Sequence, residues 1–124
     1  MPPVSVTGVR ATTAQVGADA YVVSVAGELD LATAGRLGEE LDRTAARGAR
    51  QVIVDLVGLT FMDSVALGVL TAAGRRLRDD DGVFVVVSQD PRILRVFELT
   101  GLDRVFRIER SLAEAVEEVI NGGL

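Results

Sequence analysis

Cysteine and histidine are both missing from these 124 residues, and the two absences narrow the chemistry more than anything present. Without Cys, disulfides, thiolate metal sites and thiol redox switches are excluded. Without His, the chain lacks the commonest metal ligand and the commonest general base at neutral pH. Ordinary zinc chemistry and Ser-His-Asp hydrolysis are therefore out of reach. Lysine is absent too: 13 basic residues, all Arg, face 18 acidic ones for a net charge of −5. An acidic chain without a basic stripe is a poor match for phosphate backbones, so no direct nucleic-acid partner is expected. The nearest approach to a patch, Arg75, Arg76 and Arg78, runs straight into Asp79, Asp80 and Asp81 and reads as a solvated helix end. No apolar stretch approaches the ~20 residues of a membrane span. Met1-Pro2-Pro3-Val4 has neither the basic segment nor the apolar run of a secretory signal. A cytoplasmic protein without a membrane span is expected.

What is present is the balance of a globular domain, 48% apolar and 25% charged, enough to bury one core. With no repeat and no linker, residues 1–124 read as one domain, residues 1–8 being frayed. Arg10 to Val16 and Tyr21 to Val25 flank the turn Gly17-Ala18-Asp19 and are predicted to pair as an antiparallel hairpin. Thr33 to Arg47 has helical spacing and ends at Gly48, and Gln51 to Leu56 is a strong strand. Ser64 to Arg78 sets Ala66, Val69, Leu70, Ala73 and Leu77 on one helical stripe. Val83 to Val87 is a continuous apolar run suited to a buried parallel strand. Asp90-Pro91 starts a helix that Gly101 ends, Arg104 to Ile108 is a short strand, and Ser111 with Glu114 caps a last helix. The alternation predicts an α/β fold: a four- or five-stranded mixed sheet in sequential order, with crossover helices mainly on one face.

In such a sheet, functional residues gather at the carboxyl ends of strands. Three junctions qualify: Gly27-Glu28-Leu29-Asp30, Thr60-Phe61-Met62-Asp63-Ser64 and Ser88-Gln89-Asp90. None is a phosphate-cradling loop, since Gly58, Gly68 and Gly74 match no Walker A or GxGxxG pattern. Glu28 and Asp30 read more simply as turn-forming carboxylates than as an acid/base pair, and Asp63 as a helix N-cap.

The segment Thr60-Phe61-Met62-Asp63-Ser64-Val65-Ala66-Leu67-Gly68-Val69-Leu70 resembles the signature of anti-sigma factor antagonists of the STAS family. Gly27-Glu28-Leu29-Asp30 is similar to the family's G-E-L-D, and Arg95-Val96-Phe97-Glu98-Leu99-Thr100-Gly101-Leu102 to a later family segment. The pattern departs at Val65, where a second Ser or Thr is usual, and at Ala66, where Gly is usual. The resemblance implies a protein that binds an anti-sigma factor and so releases a sigma factor. The anti-sigma factor is often a serine kinase that phosphorylates the Ser after the motif Asp and dissociates the complex; a phosphatase reverses this. On this sequence the implied acceptor is Ser64, and Asp30, Asp63, Met62, Val65 and Leu67 are the implied partner-binding residues. The ATP belongs to the kinase, so no cofactor is expected. A second reading is a STAS scaffold or adaptor in a larger signalling or transport assembly, bound without phosphorylation. Catalysis by Asp63, Ser64 and Glu28 is disfavoured, because no His, Lys or Cys is there to activate the hydroxyl.

Overall fold

The computed structural model describes residues 8–122; the expected fraying of residues 1–8 falls, apart from Gly8, outside them. Val and Ile crowd β2 (Ala20–Leu29), β3 (Gln51–Met62) and β4 (Val83–Val87), where branched side chains pack well on a pleated surface. β1 (Val9–Gln15) runs antiparallel to β2, and β5 (Arg107–Glu109) closes the opposite edge. The sheet has five strands in the sequential order β1-β2-β3-β4-β5, and every pair after the first is parallel. This is the mixed sheet expected from the alternation of strands and helices.

Both faces of the three central strands are covered, which is why they read as continuous apolar runs. Helices α1 (Ala34–Ala46), α2 (Ser64–Asp79) and α3 (Pro91–Thr100) cover one face. There Leu37, Leu41, Ala66, Leu70, Ile93 and Phe97 meet Val23, Val25, Val52, Val54 and Val86. Each of these helices joins parallel neighbours, and right-handed crossovers put them on the same side. α4 (Leu112–Ile120) follows the last strand and covers the other face, with Ala115 and Val119 against Val22, Ile53 and Val85.

Local chemistry fixes the ends. Asp90 Oδ1 accepts the Arg92 N–H at 2.9 Å with Pro91 at the first helical position, and Gly101 ends α3 in the left-handed region. Ser111 Oγ accepts the Glu114 N–H at 3.2 Å at the start of α4.

Two expectations need correcting. β2 and β3 run well past Val25 and Leu56, to Leu29 and Met62. Gly27 and Gly58 mark irregular pairing, with register shifts between Ser24 and Ala26 and between Gly27 and Glu28. A Cβ on Gly58 would lie 2.9 Å from that of Ala26, so the backbones approach closely there. The last strand is also shorter than expected: Leu102–Arg104 forms a 3-10 turn, and β5 spans only Arg107–Glu109.

α2 sits close to the sheet at Gly74. A Cβ there would come within 2.7 Å of both Phe84 and Phe106, whose rings meet edge to face with centroids 5.1 Å apart. Gly74→Val is expected to lower unfolding free energy by about 1–3 kcal/mol through overpacking, against a small gain in helix propensity. Urea denaturation checks this; a variant as stable as the parent would show that the aromatic pair yields freely.

Candidate functional site

The first two junctions meet because β2 and β3 stay paired to their last residues. Glu28 lies beside Phe61 and Leu29 beside Met62, and the Asp63 N–H donates to the Leu29 carbonyl at 3.0 Å. Asp30 and Asp63 therefore leave neighbouring strand ends. The third junction is apart: Val87, the end of β4, pairs with Asp55, on the order of 20 Å further back along β3 at ~3.3 Å per residue. There Ser88 is buried, its Oγ accepts the Asp90 N–H at 3.2 Å, and hydrogen bonds from Arg92 hold the Asp90 carboxyl below its ordinary value.

The two aspartates of the paired junctions organise the backbone that follows them. Asp63 Oδ1 accepts the N–H groups of Val65 and Ala66, both at 3.0 Å, satisfying two donors of the first turn of α2. Asp30 Oδ1 accepts from Ala32 at 2.9 Å and from Thr33 at 3.1 Å, while Thr33 Oγ1 accepts the Asp30 N–H and donates to the Glu28 carbonyl. Asp63 is thus committed as the cap of α2 and Asp30 to the turn before α1, which is how the isolated sequence reads. Gly27 is obligatory for a different reason. Its φ is +103°, and a Cβ would fall 1.9 Å from the Gly8 carbonyl oxygen, so only glycine fits.

Ser64 is the first residue of α2 and is exposed. Val65 beside it is 43% exposed. Met62 and Leu67 are half-buried, packing against the core while leaving an edge at the surface. Ala66 is fully buried, so its methyl group points into the core and not toward the hydroxyl. Of the two departures from the family signature, only Val65 adds bulk at the surface.

Two exposed apolar residues were not among the sequence candidates: Phe61 at 50% exposure and Leu31 at 77%. Phe61 precedes Met62 on β3, and Leu31 follows Asp30 directly, so both flank the same strand ends. Apolar side chains next to polar motifs read by default as core; the signal that could have found Leu31 is its place as the one large apolar residue in Asp30-Leu31-Ala32-Thr33. The third motif, from Arg95 to Leu102, packs Phe97 into the core and ends α3 at Gly101 rather than contributing to this surface.

The site is thus an exposed serine that starts the central crossover helix of a sequential mixed sheet, amid apolar side chains. The STAS domain family profile matches residues 11–115. An anti-sigma-B factor antagonist from Staphylococcus aureus is 34% identical over 88 residues, covering 71% of this chain and 82% of that one. The crystal structure of an anti-sigma factor antagonist from Mycobacterium paratuberculosis matches with a TM-score of 0.81 at 30% identity, covering 91% of this chain and 94% of that one. The Bacillus cell fate determinant SpoIIAA in its phosphorylated form shares the fold, with a TM-score of 0.73 at 22% identity over 89% of this chain and 99% of that one. The chain belongs to the STAS-domain family of anti-sigma factor antagonists. Among the described residues, no helix is long and apolar enough to cross a membrane.

Removing the α2 cap by Asp63→Ala is expected to cost about 1 kcal/mol of stability, and Asp63→Asn distinctly less, since an amide oxygen still accepts. Denaturant unfolding of the pair separates capping from charge. Equal losses for both variants would mean that the negative charge, and not the hydrogen bonds, supports the helix.

Proposed function

We propose that this chain is a cytoplasmic anti-sigma factor antagonist whose unphosphorylated form binds an anti-sigma factor with serine kinase activity. Phosphorylation of Ser64 breaks the complex, and a phosphatase restores binding. The observation that carries this reading is the exposed Ser64 at the start of α2, adjoining exposed Val65 and the half-buried Met62 and Leu67. Leu31 and Phe61 at the same strand ends enlarge the apolar surface, and Asp30 and Asp63 supply its charge.

The accounting of first-turn donors sharpens the mechanism. Asp63 N–H is bonded to Leu29, and the N–H groups of Val65 and Ala66 are bonded to the Asp63 carboxylate. That leaves the Ser64 N–H to meet a phosphate unless Asp63 gives way. A phosphoryl group carries about −1.5 to −2 charges, and next to Asp63 it gains less from the helix N-terminus than an uncapped helix would give. In solvent the repulsion is screened. Beneath a partner it is not, because contact removes the water that hydrates the dianion. Phosphorylation therefore acts on the interface far more than on the fold.

The test is affinity capture of the kinase on immobilised Ser64→Ala and Ser64→Asp variants, followed by phosphorylation of the parent with the captured kinase. Ser64→Ala should bind and resist labelling. Phosphorylated parent should bind at least about a hundredfold more weakly, corresponding to ~3 kcal/mol, while its unfolding free energy changes by ~1 kcal/mol or less. Undiminished labelling of Ser64→Ala, or an affinity that phosphorylation leaves unchanged, would overturn the proposal.

A further inference from the structure

The two edges of the sheet are managed differently. β5 is only 3 residues long, and its Arg107 is tied to Glu109 and Glu118, the short, charged form that discourages strand addition. β1 is 7 residues long with a single charge, Arg10, and no proline. Its pairing with β2 is regular over all seven residues, without a bulge. α1 rides over one face of β1, where the Thr13 hydroxyl donates to Glu40, but this leaves the outer edge open. Among the described residues no strand lies beyond β1.

Hydrogen-bond phase shows what that edge presents. At one end of the β1–β2 ladder the Glu28 N–H donates to Gly8, and at the other the Val16 N–H donates to Ala20. Bonded and non-bonded pairs alternate in an antiparallel ladder. Arg10, Thr12 and Ala14 therefore turn their N–H and C=O groups toward β2, while Val9, Ala11, Thr13 and Gln15 turn theirs outward.

We propose that β1 is a homodimerisation edge, two copies pairing antiparallel about a two-fold axis at Thr12 to form one continuous sheet. In this register the outward groups meet each other: Ala11 faces Thr13 of the partner subunit, and Val9 faces Gln15 of the partner subunit. About eight backbone hydrogen bonds form. Arg10 faces Ala14 of the partner subunit, so no like charges are opposed. Thr12 faces its own copy in a non-bonded pair, the arrangement with the shorter Cα separation, ~4.5 Å. Such self-complementarity is the requirement of an isologous interface.

That separation falls within disulfide reach, and the chain has no native cysteine to interfere. Under mild oxidation Thr12→Cys should cross-link to a covalent dimer. Ala14→Cys should not, its two copies lying roughly 13 Å apart along the strands. In sedimentation the parent should show a concentration-dependent dimer. Ala11→Pro, which deletes an outward N–H and no bond to β2, should weaken that dimer by at least about tenfold at unchanged circular dichroism. A parent that stays monomeric at millimolar concentration would overturn the proposal, including in favour of a strand from another protein as the occupant. Equal cross-linking of both cysteine variants would overturn it too, and that comparison decides the matter should Ala11→Pro fail to fold.

Discussion

The pairing of β2 with β3 continues after β4 has stopped, and the candidate site depends on that continuation. Close approach at Gly58 and Ala26, the register shifts on either side of Gly27, and the bond from Asp63 to Leu29 keep the two strands together to their ends. Without it, the turn leading into α1 and the start of α2 would leave the sheet at different heights. With it, one acidic cap, one turn-forming carboxylate, one exposed hydroxyl and several apolar side chains share one end of the molecule. The glycines of the ribbon therefore act on the site through backbone geometry.

Asp63 illustrates how a regulatory surface can be built on a finished scaffold. Its carboxylate already satisfies the first turn of α2, so the neighbouring hydroxyl is free of structural duty. The proposed modification of Ser64 takes away no bond on which the helix relies. In the proposed switch the apolar side chains near it set the sensitivity, since a surface that binds by excluding water penalises an added charge most. On that proposal, helix stability and partner affinity are controlled by adjacent residues through different physics.

Much of this was legible in the sequence where the interactions are local. Asp63, Asp90 and Ser111 as caps, Pro91 at a helix start and Gly101 at a helix end follow from bonds between residues a few positions apart. The sequential strand order follows from short connections and crossover handedness. The tails of β2 and β3 were not legible, because a glycine in a strand and a glycine in a turn look alike until the partner strand is known. For the same reason Ser88-Gln89-Asp90 could not be separated from the other two junctions, as its distance is set by where β4 ceases to pair. Ser64, Asp63, Asp30 and Val65 were named from the motif, whereas Leu31 and Phe61 needed coordinates to reveal that they are outside the core.

One feature of β3 bears on motion. From Leu56 to Met62 the strand has β2 on one side and no β4 on the other, so its amides there are held by one neighbour instead of two. Segments with fewer partners exchange hydrogen through small local openings, at free energies below that of global unfolding. Slow-exchanging amides will therefore concentrate in Val52 to Val54 and Val85 to Val86, and protection will decline along β3 toward Ser64. The surface around Ser64 therefore lies in the part of the domain whose distortion disturbs the core least.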